Sequence, residues 1–388
     1  MARISALFLT LVLSSSVASA QTVSDTLTFL MTNQSVSTGD VALDRSAAIA
    51  ASAAISRALL ENLATIPVAT SSSGFVYRLN PELGTVERVS QTFGPFFVER
   101  ARTAGRGQAS FGVTYQQLDF NSLDGRNLRD GSLVTTANQF VDESSPFDAD
   151  RLTLDISARI ATVYGNVGIT DRLEVGVAVP MVDLTLDGTR VNTYRGTTFT
   201  QATASARAIG LADIVARTKY TVFDEDGAAL AAAVDVRFPT GRQDDLLGVG
   251  TTSVKLGAIG SLEEGRAAAH LNAGVTLGGL AREIDYGAAI GLAATPRTTI
   301  SGEVLGRWIN GIGQLVPVTA PNPTLRQVDT IRLTSDASSV NMITFVPGIK
   351  WNVSSTWVLA ANVAVPLTSG GLTTKVTPFV GLDYALGR

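Results

Sequence analysis

The stretch Tyr164–Pro180, YGNVGITDRLEVGVAVP, contains two runs of alternating residues on either side of the polar turn Thr170-Asp171-Arg172. The second run places four branched apolar residues on one parity: Leu173, Val175, Val177 and Val179. Because successive side chains of a β-strand point to opposite faces, this stretch predicts a β-hairpin with one apolar face. That face must contact either a protein core or lipid.

The same alternation recurs along the chain between residues 107 and 388. The alternating runs cover 109–119, 151–168, 173–186, 213–223, 229–239, 253–260, 267–278, 283–293, 298–309, 340–351, 356–366 and 374–385. Bacterial outer-membrane barrels have an even number of strands, and a tilted strand of about ten residues crosses the hydrocarbon layer. The pattern therefore predicts an all-β fold, a transmembrane antiparallel up-and-down β-barrel of about twelve strands.

Most links between the predicted strands alternate in length, although those near 279–282 and 367–373 are short and fall where long loops are expected. Short links lie around 170–172, 224–227, 263–266, 295–297 and 352–355, whereas long polar links cover 120–150, 187–212, 240–252 and 310–339. Outer-membrane barrels have short periplasmic turns and longer external loops. A soluble sandwich would also alternate in apolarity, but it has no reason to sort its loops by length.

The second parity of each predicted strand carries polar residues. If Leu152, Leu154 and Ile156 face lipid, then Asp155 and Arg159 face the lumen, and the same rule applies to the other strands. A Lys or Arg on the lipid face would cost about 2–4 kcal/mol at the midplane, and none falls there under this assignment. The predicted lumen-lining residues are Asp155, Arg159, Arg217, Lys219, Asp235, Arg237, His270, Glu303 and Arg307.

Pro180 would mark the outer rim of its strand, since proline lacks the N–H that a sheet ladder needs. The apolar residues after it, Leu184 and Leu186, lie on the opposite parity to Val179. The sequence therefore predicts a slip of the side-chain frame just beyond Pro180.

The N-terminal part of the chain has a different pattern. Residues 1–20 resemble a secretory signal peptide, with cleavage near Ala20, because a short apolar core is followed by small residues. Residues 21–106 predict a helical and short-hairpin segment, with an Ala-rich helix over 41–66 and strands near 75–79 and 85–90. This segment either fills the lumen as a plug or forms a loosely packed extension.

Composition excludes several other classes. The chain has 388 residues, a net charge of −4, 36 Gly and no Cys, so neither a basic nucleic-acid surface nor a disulfide framework is expected. Beyond the N-terminus no apolar run reaches the roughly 18 residues of a membrane helix. The chain is thus expected to meet the lipid bilayer through strands.

Several phrases resemble a family of bacterial outer-membrane proteins associated with the meta-pathway of phenol degradation. They are GITDRLEVGVAVP (168–180), GLADIVARTKY (210–220), VDVRFPTGRQDDLLGVG (234–250) and TPFVGLDY (377–384). The resemblance implies a closed barrel in a Gram-negative outer membrane and transport of small aromatic or other hydrophobic compounds. Residues 381–386 also resemble the C-terminal strand that the barrel-insertion machinery recognises, although the chain ends in Gly387-Arg388.

The sequence offers little support for catalysis or for cofactors. His270 is the single histidine, its predicted orientation is inward, and no Gly-x-Ser-x-Gly motif is present. An outer-membrane lipid hydrolase is therefore a weaker alternative, because its base would have to reach the bilayer. The acidic clusters at 224–226 and 244–245 lack the spacing of a calcium loop, and no metal or cofactor is predicted.

Two functions remain open from the sequence. The first is a porin-like channel that conducts small molecules passively, with lumenal charges of both signs setting its selectivity. The second is a non-conducting structural barrel whose external loops 120–150 and 310–339 engage a partner. The cargo itself is not encoded in any pattern of the sequence.

Overall fold

The computed structural model describes residues 21–64, 77–80, 85–88, 90–354 and 356–386. The predicted signal peptide lies outside the described residues. The helices are α1 (Val23–Thr32) and α2 (Val41–Ala64). The strands are β1 (Tyr77–Asn80), β2 (Thr85–Arg88), β3 (Ala109–Leu123), β4 (Arg126–Asn127), β5 (Leu133–Phe140), β6 (Asp148–Gly168), β7 (Leu173–Tyr194), β8 (Thr197–Leu211), β9 (Ile214–Glu225), β10 (Ala228–Phe238), β11 (Ser253–Glu264), β12 (Ala267–Gly278), β13 (Arg282–Thr295), β14 (Thr298–Asn310), β15 (Leu315–Pro321), β16 (Val328–Ser335), β17 (Val340–Ser354), β18 (Trp357–Pro366), β19 (Leu372–Thr374) and β20 (Thr377–Leu386).

Twelve antiparallel strands form a closed ring, in the order β3, β6, β7, β9, β10, β11, β12, β13, β14, β17, β18 and β20. Pairing between β20 and β3, from Phe379↔Gln116 to Leu386↔Ala109, closes the ring. Each of the twelve predicted runs corresponds to one strand of this ring, so the predicted barrel is confirmed. Strands β1 and β2 pair with each other as a separate hairpin.

Three of the predicted long loops contain further strands. Residues 120–150 include β4 and β5, residues 187–212 include β8, and residues 310–339 include β15 and β16. These strands extend the wall on the side opposite the short turns, and β16 pairs with β5 across the barrel's outer rim. The prediction of plain loops was wrong there because strands outside a membrane need no lipid-facing apolar parity.

Strands β6 and β7 are much longer than a membrane requires. They have 21 and 22 residues, which at about 3.3 Å per residue corresponds to roughly 70 Å, whereas the hydrocarbon core is about 30 Å thick. Their pairing runs from Gly168↔Glu174 to Asp148↔Tyr194 without a register shift. The predicted frame slip after Pro180 is therefore wrong, because each strand keeps one parity inward along its whole length.

What changes along these strands is the polarity of the two faces. On β7 the outward side chains are apolar as far as Met181, and those from Asp183 to Thr189 are polar. The inward face changes in the opposite sense, from Glu174 near the short turn to Leu184 and Leu186, which are fully buried. We call the part of the barrel between the short turns and the level of Met181 the membrane half, and the part beyond it the external half.

In the membrane half the outward face forms an apolar belt. Its members include Val113, Val163, Val177, Leu230, Leu256, Leu271, Ile290, Val304, Trp308, Trp357 and Leu359, all of which are exposed on the isolated chain. Exposed apolar surface of this extent on a closed strand wall is the property that a barrel needs in lipid. In the described part of the chain, no helix is long and apolar enough to cross a membrane.

The interior of the external half is filled by the two helices. Leu27 and Leu30 of α1 and Ile55 and Leu59 of α2 belong to one buried apolar cluster, together with inward side chains of the wall such as Leu154. Gly188 of β7 allows α1 to approach closely, since a Cβ there would lie 2.2 Å from Cδ1 of Leu30. The predicted Ala-rich helix is confirmed as α2, whereas α1 was not predicted.

Candidate functional site

The lumen of the membrane half is crossed by residues 90–106, which we call the inner segment. Three consecutive amides of this segment donate to the carboxylate of Glu303 on β14: those of Phe96 (2.5 Å), Phe97 (2.8 Å) and Val98 (2.8 Å). Nζ of Lys350 on β17 donates to the carbonyl of Pro95 at 2.9 Å. Because a buried carboxylate is costly unless it is hydrogen-bonded, these three donors explain how Glu303 tolerates complete burial.

The inner segment is also held on β9 and β11, by two of its arginines and by its backbone. Arg100 and Arg102 both contact Glu263 of β11, at 3.2 and 3.0 Å, and Arg102 also contacts Asp224 of β9 at 2.9 Å. Nζ of Lys219 donates to the carbonyls of Arg100 and Arg102, at 3.1 and 3.2 Å. The basic residues of this segment therefore face acidic residues of the wall near its short-turn end.

The inner segment also covers the pair formed by Ser261 and His270. The Oγ of Ser261 lies 2.8 Å from Nδ1 of His270 and accepts a hydrogen bond from the amide of Ala101 at 2.9 Å. Both side chains are buried, with 4% and 2% exposure. A serine in this position reaches neither bilayer lipid nor the lumenal cavities, so the geometry gives no support to a lipid hydrolase.

Beside the inner segment, the wall carries a row of ion pairs that face the lumen. Arg217 binds Asp235 at 2.6 Å and also contacts Glu99 of the inner segment, and Lys255 binds Asp285 at 2.7 Å. Arg307 binds Glu283 at 2.5 Å and Glu61 of α2 at 2.6 Å. The last pair joins the helix to the wall.

Glu61 is the acidic group of α2 that lies closest to this row. Burial raises the pKa of Glu61 to about 7, with Arg307 acting to lower this pKa and Glu283 to raise it. Two carboxylates share one guanidinium here, which favours protonation of one of them.

Two adjoining cavities lie in the lumen beside Phe97 of the inner segment and the end of α2. The first has a volume of about 190 Å³ and includes Phe97, Arg217, Arg237, Lys255 and Leu305 in its lining. The second has about 140 Å³ and is more apolar, with Leu118, Met342 and Phe379 in its lining. Phe97, Leu305 and Arg307 line both cavities, so the two spaces adjoin at these side chains.

The external half has its own buried ion pairs, which fasten the helices. Arg190 of β7 binds Asp150 of β6 at 2.9 Å, and both are fully buried. The same guanidinium donates to the carbonyls of Leu30 and Met31 at the end of α1, at 2.9 and 2.7 Å. Cations stabilise the C-terminal end of a helix, where the carbonyl groups lack partners within the helix. A second ion pair, between Arg332 of β16 and Asp44 in the first turn of α2 at 2.6 Å, connects the other helix to the wall.

The structure divides the predicted lumen-lining residues into two groups. Facing the interior are Arg217, Lys219, Asp235, Arg237, His270, Glu303 and Arg307. The assignment of Asp155 and Arg159 is wrong, because both lie on the outer wall of the external half, where Asp155 is 62% exposed and binds Arg129. Their apolar neighbours Leu154 and Ile156 face the helices instead of lipid.

Sequence reasoning missed several residues that hold the interior together. Glu61, Glu99, Asp150 and Arg190 were not among the candidates. The inward parity of their strands does place Lys350 and Glu283 in the lumen, and both side chains face the interior in the structure. Glu99 lies in a segment without periodicity, so no pattern identified it. Among the described residues, no group of three or more His, Cys, Asp or Glu side chains is placed to hold a metal ion.

A closed ring of antiparallel strands, an apolar outer belt and a charged interior together define a transmembrane β-barrel of the bacterial outer-membrane type. No protein-family model matches the chain, and no curated protein sequence matches it. Among solved structures, an outer membrane channel from Pseudomonas putida F1 is similar, with 14% identity over 74% of this chain and 98% of that chain and a TM-score of 0.49.

Two porins are similar at still lower identity. The KdgM porin, solved in complex with disordered oligogalacturonate, has 7% identity over 72% of this chain and 99% of that chain, with a TM-score of 0.38. The NanC porin has 6% identity over 72% of this chain and 100% of that chain, with a TM-score of 0.37. The class of this protein therefore rests on its own strand pairing and outer belt, and the phenol-degradation family stays a prediction.

Proposed function

We propose that this protein is an outer-membrane channel through which small solutes pass without energy input. The observation that supports this function most directly is the pair of adjoining cavities, of about 190 and 140 Å³, between the wall, the inner segment and α2. A barrel that served only as a wall would gain stability by filling these spaces, because unfilled volume costs packing energy. Paired charges of both signs along the first cavity suit a path for polar solutes.

Residues 21–106 are proposed to act as a plug that narrows this path, with residues 1–20 removed on export and 107–388 forming the barrel. The contacts of Glu303, Glu263 and Asp224 with the inner segment support this role, because they bind it from separate strands of the wall. We further propose that the barrel-insertion machinery recognises β20. The apolar lining of the second cavity favours hydrophobic cargo, including the aromatic compounds that the resemblance implies.

Single-channel conductance in planar bilayers tests the channel. The full-length chain and a chain lacking residues 21–106 would be compared, with heat-modifiable mobility as the check that each barrel has folded. We expect a small conductance from the full-length chain and a severalfold larger conductance from the truncated chain, because the lumen widens. Equal conductance of the two chains would contradict the plug.

A reversible cross-link gives the matched control. The chain has no cysteine, and the amide of Ala101 lies 2.9 Å from Oγ of Ser261, so Ala101→Cys with Ser261→Cys is the pair chosen to cross-link the inner segment to β11, with formation of the disulfide checked by mass spectrometry. If conduction requires the segment to move, oxidation lowers conductance and a reductant restores it. Each single-cysteine variant should respond to neither treatment.

The dense contacts of the inner segment also favour a second candidate, a sealed barrel that acts through its surface. In that case neither the full-length chain nor its reduced cross-linked variant would conduct, although both would fold. Deletion of the β15–β16 hairpin would then abolish binding of a surface partner. Measurable conductance of the full-length chain would exclude this second candidate.

A further inference from the structure

Arg237 differs from the other charged residues that line the first cavity. It lies near the outer end of β10, its side chain is partly buried, and it faces the 190 Å³ space. Within the described residues it takes part in neither an ion pair nor a hydrogen bond. A guanidinium carries five N–H donors and stays charged in proteins, so an unpaired one inside a lumen is unusual.

The remaining cations of this cavity already have partners. Arg217 is bound by Asp235, Lys255 by Asp285, and Arg307 by two carboxylates, as described above. Asp213 acts electrostatically on Arg237, but its carboxylate accepts hydrogen bonds from the amides of Gly241 (3.0 Å) and Val249 (2.9 Å). The acidic groups around Arg237 are therefore engaged, and its donors remain available to a ligand.

The rest of the cavity lining sets the size and polarity of such a ligand. Apolar side chains lie on two sides of the cavity: Val215 and Val249 close to Arg237, and Phe97, Val98 and Leu305 farther along. A protein cavity of about 150 Å³ lined by apolar residues admits benzene, so 190 Å³ accommodates one ring and one small polar group. The site therefore suits a compact solute with an apolar body and one anionic end.

We propose that this cavity binds small monocarboxylates, with the guanidinium of Arg237 holding the carboxylate and Phe97 and Leu305 contacting the apolar body. A carboxylate matches the fork of two parallel N–H donors that a guanidinium presents. The site deepens the channel function proposed above by naming its solute class and its anchoring residue.

Calorimetric titration of the full-length chain in detergent tests the site. Benzoate and benzamide are the probes, because they have nearly the same shape and differ in charge. We expect saturable binding of benzoate and at least tenfold weaker binding of benzamide. The Arg237→Gln variant should bind benzoate about tenfold to a hundredfold more weakly, as expected for loss of hydrogen bonds to a charged group. Arg237→Lys should retain part of the affinity.

Arg159→Gln is the matched control, since Arg159 lies on the outer wall. Its benzoate affinity should equal that of the unchanged chain. Equal binding of the two probes, an unchanged affinity in folded Arg237→Gln, or no binding of benzoate to the full-length chain would each overturn the proposal.

Uptake of radiolabelled benzoate into proteoliposomes separates this site from the channel. Binding without uptake would support the carboxylate site and contradict the channel. Uptake without saturable binding, unaffected by Arg237→Gln, would support the channel and contradict the site.

Discussion

The membrane half and the external half of the barrel use the same strands but reverse the polarity of the two faces. On β6, the inward side chains change from Asn166 and Thr162 in the membrane half to Ile156 and Leu154 in the external half. Over the same length the outward side chains change from Val163 to Asp155. In the membrane half, lipid lies outside the wall and the charged inner segment lies inside. In the external half, water lies outside and the apolar helices lie inside. The two-residue period thus identifies a strand, whereas its surroundings decide which face is apolar.

The largest expected effect tests the charged interior of the membrane half. Glu303→Leu removes the acceptor of three inner-segment amides, and we expect undocking of that segment to become easier by on the order of 4 kcal/mol. Hydrogen exchange of residues 96–98 measures this change. Glu303→Gln, which keeps one acceptor oxygen, should show a smaller effect. Unchanged protection of these amides in Glu303→Leu would contradict the role of the carboxylate.

The next prediction locates the boundary between the halves on the outward face of β7. Val177→Arg places a cation against lipid and should cost about 2–4 kcal/mol of folding free energy, because Val177 lies in the apolar belt. Thr185→Arg, on the same face but in the external half, should change stability by less than about 0.5 kcal/mol. Urea unfolding in lipid vesicles measures both. If both substitutions lowered the folding free energy equally, the membrane boundary would lie beyond Met181.

A smaller effect probes the apolar interior of the external half. Ile156 is fully buried in the cluster that contains α1 and α2, so Ile156→Val should destabilise by about 0.5–1.5 kcal/mol through loss of one methylene. Ser157→Ala, on the outward face of the same strand, is the control and should be close to neutral. Thermal unfolding of the purified protein compares the two. A larger loss from Ser157→Ala would reverse the assignment of faces.

The smallest expected effect concerns the junction of the two halves at Glu61. Because burial raises the pKa of Glu61 from 4.5 to about 7, the protonated form favours docking of α2. This contribution is fully present below pH 4.5 and is lost as pH rises through about 7, with a slope of at most about 1.4 kcal/mol per pH unit. Protease sensitivity of α2 between pH 4 and 8 measures the loss. Glu61→Gln should remove the part of the pH dependence that Glu61 causes. An unchanged profile of protease sensitivity against pH in this variant would contradict the role of Glu61.

The sequence predicts the membrane half well and the external half poorly, and the reason is physical. In the membrane half lipid selects the outward side chains, so residues such as Val177 and Leu271 mark the wall without knowledge of tertiary contacts. In the external half, the alternation of Leu154 and Asp155 does not indicate which of the two side chains faces water. That choice depends on α1 and α2, which lie more than 90 residues earlier in the chain.

The candidate site shows the same division. Arg217, Asp235 and Arg307 could be placed in the lumen from strand parity alone. Their partners Glu99 and Glu61 could not, because these belong to a loop and a helix whose position is fixed by long-range contacts. That Arg237 has no partner among the described residues is likewise visible only after all neighbouring charges are placed.

The contacts of Glu303 have a consequence for the order of assembly. Phe96 and Pro95 are bound by residues that follow them by 207 and 255 positions, on two strands near the end of the chain. Contacts of such separation form slowly, because a long loop must close before they gain any energy. During export the N-terminal part emerges first and then has to wait without its partners until β14 and β17 arrive. Residues 90–106 therefore remain without these partners for longer than the final strands do.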